Sequence, residues 1–136
     1  MVCFRIQNSI VLKGILPTNQ IYDLMIRATA LIVPSPFEAF GLITAEAMFN
    51  KCLVIGKDTA GTKEQFDNGQ RKYNKEIALR FTNEQQLTNH LIDIEQKQVQ
   101  QYNEIIEQAY NYVSSLYSIE NNAKQINCLY TSILRI

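Results

Sequence analysis

A chain of 136 residues, 46% of them hydrophobic, can bury the core of one domain. Its thirteen basic and thirteen acidic side chains cancel, so no long-range field draws it to nucleic acid or anionic lipid, although a small local anion site stays open. Cys3, Cys52 and Cys128 are odd in number and widely spaced, there is no CxxC, and His90 is the single histidine; this argues against a disulfide framework or a Cys/His zinc site and for buried free thiols.

In chain order, the opening "MVCFRIQNSIVLKGIL" has no basic stretch followed by an uninterrupted apolar run, so no leader peptide is expected. No apolar run approaches the ~20 residues of a membrane helix, and the expectation is a soluble, cytoplasmic protein. "SIVLKG" (9–14) reads as a β-strand closed by Gly14. "PTNQIYDLMIRA" starts a helix, with Pro17, Thr18 or Asn19 as cap and Ile21, Leu24 and Met25 on one face. "ALIVP" (30–34) and "CLVIG" (52–56) are continuous apolar runs, as expected of strands buried on both faces. Between them, "SPFEAF" reads as a loop and "GLITAEAMFN" (41–50) as a helix with Gly41 at its start. "DTAGTKEQFDNG" (58–69) reads as a loop with one helical turn, and "IALRF" (77–81) as a fourth strand. "TNEQ" (82–85) matches a capping box and opens a helix of two or three turns, on which His90 is a surface residue.

Beyond Lys97, Ile105, Ile106, Ala109, Tyr112, Val113 and Leu116 recur at helical spacing. Ser118 then caps a last helix whose apolar face carries Ala123, Ile126, Leu129, Tyr130, Ile133 and Leu134. Tyr102, Tyr110, Tyr112, Tyr117 and Tyr130 read as packing residues. Strand and helix alternate up to about residue 95, which predicts an α/β fold with a parallel sheet covered by helices. In such sheets ligands bind beyond the carboxyl ends of the strands, here at residues 34–41 and 57–63.

The first of these loops leads into an unusual segment, "PSPFEAFGLITAEAM" (34–48). Glu38 and Glu46 stand eight positions apart in it, a spacing that Glu76 and Glu84 repeat in polar sequence. Glu46 lies among Leu42, Ile43, Ala45, Ala47, Met48 and Phe49, and an unpartnered carboxylate buried there is costly. Two readings stay open. Glu46 takes a ligand hydroxyl, or it forms a structural ion pair with Lys13, Arg27 or Lys51. Glu38 either faces a ligand or is a solvated acid near a helix start. Gly41 allows close backbone approach, and the first N–H groups of the helix favour an anion. A phosphate seat with one carboxylate on either side uses all three features.

These residues resemble glycosyltransferase family 4, the group 1 glycosyl transferases, whose signature places Glu, seven residues and Glu after a Pro-Ser strand end, with Phe-Gly between. "IVLKGILPTNQIYDLMIRATALIVPS", "LVIGKDTAGTKEQFDNG" and "YSIENNAKQINCLYTSIL" resemble the flanking blocks in the same order, over about residues 9–135. The resemblance implies a GT-B enzyme of two Rossmann-like domains. Residues 1–136 would be a single partial domain, the C-terminal nucleotide-sugar-binding one, with a Rossmann-like parallel sheet flanked by helices and two C-terminal helices. It implies transfer of a hexose-type sugar from a nucleotide-sugar donor to an acceptor hydroxyl, with retention. Glu38 would carry the catalytic role beside the donor sugar. Phe40, Gly41, Leu42 and Ile43 would offer backbone groups to sugar and diphosphate, Glu46 would accept the ribose hydroxyls, and Gly61 and Thr62 would line the same cleft. No metal and no other cofactor is implied. The expected partners are the donor and an acceptor glycan or lipid-linked sugar, with no nucleic acid, in polysaccharide biosynthesis of a bacterial type. Peripheral attachment to the inner face of a membrane is expected of the full-length enzyme.

The chain departs from the pattern in "FNKCLVI", where Lys51 and Leu53 replace a usual glycine and proline, and it lacks the family's basic Arg/Lys pair and acceptor domain. The expectation is therefore an N-terminally truncated domain, inactive alone. In the sheet order 3-2-1-4-5-6 its strands would be the third to sixth, leaving "SIVLKG" without a neighbour and "ALIVP" with an apolar edge open to self-association. A non-catalytic nucleotide-sugar-binding module, or an inactive remnant, is the alternative.

Overall fold

The computed structural model describes residues 10–97 and 99–134. Within them the chain alternates helix and strand: α1 (Thr18–Arg27), β1 (Ala30–Val33), α2 (Leu42–Phe49), β2 (Leu53–Lys57), α3 (Ala60–Tyr73), β3 (Leu79–Phe81), α4 (Glu84–Gln96), a 3₁₀ turn (Val99–Tyr102), α5 (Asn103–Leu116) and α6 (Ile119–Leu134). The strands form one parallel sheet in the order β1-β2-β3. Ala30 pairs with Leu53 and Val33 with Gly56, while Ile55 pairs with Leu79 and Lys57 with Phe81. Parallel neighbours require a crossover, and α2 and α3 supply them. The fold is the Rossmann-like α/β arrangement that the alternation predicts, with the two C-terminal helices in place.

β2 is central, and Leu53, Val54 and Ile55 are each at most 1% exposed. The core joins Val54 to Met48 and Ala47 of α2, Phe66 of α3, Ile77 and Ala78 before β3, and Ala109, Tyr112 and Val113 of α5. α5 therefore joins the core by its predicted apolar stripe, packed against α2 and α3.

Four expectations need correction. Of the strand expected at 9–14, Ser9 lies outside the described residues, and residues 10–14 are irregular and exposed, Leu12 at 92%, because no described strand lies beside them to complete a ladder. β1 is not buried on both faces. It is an edge strand among the described residues, and Ile32 is 39% exposed. Residues 58–69 are not a loop with one helical turn: Asp58 and Thr59 lead into α3 (Ala60–Tyr73), whose start carries a capping box in which Thr59 and Thr62 exchange hydrogen bonds. The α4 cap sits one residue later than expected: Asn83 Oδ1 accepts the Gln86 N–H at 3.0 Å, and Gln86 Oε1 accepts the Thr82 N–H at 2.7 Å.

Ser118 caps α6 as its sequence predicts, accepting the Asn121 N–H at 3.1 Å. The apolar face of α6 is uncovered, however, with Ile126, Leu129, Tyr130 and Ile133 all more than half exposed. Cys52 is buried, and burial pushes its thiol up. Cys128 on α6 is exposed, contrary to the expectation of buried thiols, and Cys3 lies outside the described residues.

Candidate functional site

β1 ends at Val33, and the chain crosses the carboxyl edge of the sheet as an irregular loop before α2 begins. Gly41 makes the turn into the helix with φ 75°, a left-handed conformation that a side chain disfavours. Its carbonyl accepts the N–H groups of Thr44 at 3.0 Å and Ala45 at 3.2 Å. The N–H groups of Leu42 and Ile43 meet no acceptor among the described residues, so the positive end of α2 stays open.

The neighbouring helix start is closed. The Gly61 N–H donates to Glu38 O at 2.8 Å, and the Lys63 N–H to Thr59 O at 2.7 Å. A Cβ on Gly61 would stand 2.5 Å from Glu38 O and 2.8 Å from the Ala39 carbonyl, so glycine lets the loop rest directly on α3. Thr62 is 1% exposed and donates its hydroxyl to Lys57 O at 2.5 Å. Gly61 and Thr62 therefore form the floor beneath the loop and are not among the residues lining the cavity beside it. From the next turn of α3, the buried Gln65 amide donates to Phe40 O and to Gly41 O. Gln65 Oε1 and Thr44 Oγ1 are buried there without a hydrogen-bond partner among the described residues.

α2 divides along its length. Thr44, Ala45, Ala47 and Met48 are buried. Leu42, Glu46, Phe49 and Asn50 recur at helical spacing along the other side and, with Ala45 at the boundary, line a cavity of about 400 Å³. Tyr22 of α1, Phe40 of the loop, Val113 of α5 and Tyr117 complete it. The Phe40 and Tyr117 rings meet edge to face, centroids 5.7 Å apart. The sequence predicts a helix buried nearly all round; instead Leu42 and Phe49 are 66% and 58% exposed and Glu46 is half-buried.

Glu46 forms no ion pair among the described residues. Lys51 reaches Glu107 at 2.7 Å, and Arg27 donates to Asp23 O on its own helix at 3.1 Å. Among the described residues the side chain donating to the Glu46 carboxylate is Tyr22, whose hydroxyl lies 3.4 Å from Oε1. The Glu46 charge raises the Tyr22 hydroxyl pKa. Glu38 is half-buried, its backbone held by Gly61, and its carboxylate has no hydrogen-bond partner among the described residues.

Two cationic side chains on the other flank, Arg80 and Lys63, are engaged. Arg80 of β3 binds Asp58 at 2.5 Å and Asp67 at 2.7 Å, holding the Asp67 carboxyl below its usual range. Lys63 lies 3.3 Å from Asp67. His90 is tied through Nε2 to Arg80 O at 2.8 Å and is half-buried rather than a free surface residue.

The cavity thus collects Phe40, Leu42 and Glu46, with Gly41 and the half-buried Ile43 at its helix entrance. Glu38, Gly61 and Thr62 stand on the loop and floor beside it. Ala45, Phe49 and Asn50 escaped the sequence reading, although Phe49 and Asn50 sit three and four positions from Glu46 on the same helix face and Ala45 adjoins it. Tyr22 and Val113 carried no local signal, and Tyr117 reads as packing until its ring is seen on the cavity wall.

The sequence profile described as glycosyl transferases group 1 matches residues 4–112. No significant match is found among curated proteins or among solved structures.

Proposed function

The chain belongs to the group 1 glycosyltransferases, and from that premise we propose that it is the donor-binding domain of a family 4 enzyme of GT-B architecture. In this reading residues 1–136 form a single partial domain that moves a hexose-type sugar from a nucleotide-sugar to an acceptor hydroxyl, with retention. The observation that carries the reading is the half-buried Glu46 carboxylate, without a cationic partner, in the cavity beside an open helix start. The diphosphate is placed at the N–H groups of Leu42 and Ile43, where the α2 dipole favours negative charge. Glu46 accepts the ribose hydroxyls, and the apolar remainder of the cavity takes the base. Gly41 and Phe40 bring backbone groups to the sugar. Glu38 faces the sugar hydroxyls near the reacting carbon.

As the bond from that carbon to the diphosphate breaks, negative charge grows at the α2 entrance and positive charge on the sugar beside Glu38. Fixed dipoles and a carboxylate stabilise both without reorganisation. The acceptor oxygen forms the new bond to that carbon and its proton passes to the leaving diphosphate. We assign no metal to this chemistry; backbone N–H groups meet the leaving charge. The acceptor, a glycan or lipid-linked sugar in polysaccharide assembly, is presented by a second domain, so the isolated chain binds donor without transferring it. A cytoplasmic enzyme peripheral to a membrane fits this role, and no described helix is long and apolar enough to cross one. The absence of Glu38 from the cavity lining supports the second reading, a module that binds nucleotide-sugar without turnover.

Calorimetric titration of the chain with UDP, GDP and ADP, repeated with Glu46→Ala, tests the proposal. The expected result is saturable binding of one nucleotide, weakened at least tenfold, about 1.4 kcal/mol, by the substitution. No binding by the folded chain would refute it.

A further inference from the structure

The Glu46 carboxylate has one tie and one opening. Oε1 lies 3.4 Å from the Tyr22 hydroxyl, well beyond the roughly 2.7–2.8 Å usual for O–H···O bonds. Oε2 has no hydrogen-bond partner among the described residues. Tyr22 comes from α1 and Glu46 from α2, 24 positions apart, and both face the same cavity. The nearby cations do not compete: Lys51 is held by Glu107 and Arg27 by its own helix. Asn50, one turn further along α2, has its amide on Glu46 O at 2.8 Å.

Such a pair offers a distinct pattern. A carboxylate only accepts, whereas a phenol donates and accepts. Two adjacent hydroxyls on one ring match it: one donates to the free carboxylate oxygen, and the other exchanges a hydrogen bond with the phenol. The long Tyr22–Glu46 contact leaves the phenol able to turn to a ligand. The same charge repels a ligand phosphorylated at either hydroxyl.

We propose that Tyr22 is a specificity-determining residue of this site, which positions the Glu46 carboxylate and, with it, selects nucleotides carrying a free, unphosphorylated 2′,3′-diol. The inference rests on Glu46 being the ribose acceptor. Tyr22 packs against the core through its ring, and Tyr22→Phe keeps that ring while removing only the hydroxyl.

The test compares UDP, GDP and ADP with their 2′,3′-dideoxy analogues on wild type, Tyr22→Phe and Glu46→Gln, and records each variant's thermal midpoint. Wild type is expected to prefer the diol form of the nucleotide it binds by roughly 10- to 100-fold, as hydrogen bonds to a charged group allow. Tyr22→Phe is expected to cut that preference about fivefold or more at an unchanged midpoint, a discrimination that a purely structural tyrosine would not alter. Glu46→Gln is expected to abolish most of it. If Glu46→Gln loses the preference while Tyr22→Phe keeps it in full, the role given to Tyr22 is wrong and Glu46 still holds the ribose. If wild type binds none of the three, shows no preference, or Glu46→Gln leaves the preference intact, the ribose site itself is misplaced and the inference falls with it.

Discussion

The glycine at position 61 shows how one residue shapes the candidate site. Its missing side chain lets the Glu38–Ala39 backbone lie on the start of α3, and its N–H holds Glu38 O at 2.8 Å. Gly61→Ala forces a methyl group against that carbonyl. The expected cost is about 1–3 kcal/mol, typical of overpacking, with a displaced loop and weaker nucleotide binding; urea unfolding and calorimetry on the same variant check both. Tyr112 gives a prediction in pH. It is 2% exposed, and burial first, then Tyr117, pushes its hydroxyl up to about 12. A raised folded-state pKa means that the folded chain holds this proton more tightly than the unfolded chain. The stabilisation is complete below about pH 10 and is lost as pH rises from about 10 to about 12. Two pH units correspond to roughly 2–3 kcal/mol. Denaturant unfolding of wild type across that range should show this loss, and Tyr112→Phe should show a smaller one.

At the scale of elements, β1 and β2 are legible as short uninterrupted apolar runs and α5 as a stripe of helical period. α2 was legible as a helix and misread in its surroundings. Its composition is apolar all round, but Leu42 and Phe49 face a cavity that only the approach of α1 and Tyr117 defines. α3 was hidden by two glycines and a run of polar residues, whose weak propensity is overridden by the Thr59 capping box and the burial of Phe66. The α4 cap was found one residue early, since Thr82 and Asn83 both satisfy the pattern and the helix selects Asn83. Asn83→Ala is expected to cost about 1 kcal/mol, measurable as a lowered urea midpoint. α6 is amphipathic, yet none of its residues of described exposure is buried. Its amides should exchange with solvent well before those of α5, which carries Ala109, Tyr112 and Val113 into the core; hydrogen exchange read by mass spectrometry separates the two helices.

At the scale of the molecule, the observed order β1-β2-β3 is the fourth-fifth-sixth run that the family resemblance implies. The sequence could convey that order because short crossovers through α2 and α3 leave few alternatives. It could not convey the fate of residues 10–14, which depends on a neighbouring strand rather than on their own composition. β1 has no strand on its outer edge among the described residues, and Ile32 is partly exposed there. We expect this edge to pair with a second copy, giving a light-scattering mass above the 15.6 kDa of one chain. Spacing and context mark the two glutamates as candidates, but the different states of the two helix entrances, α2 open and α3 closed, follow only from the folded loop. That difference is the centre of the account, and amide chemical shifts of the isotope-labelled chain during titration with UDP, GDP and ADP test it most directly. The account predicts that one nucleotide shifts the Leu42 and Ile43 amides together with Glu46, and leaves those of Thr62 and Lys63 nearly still. Shifts centred on Thr62 and Lys63, with residues 41–46 unmoved, would contradict it.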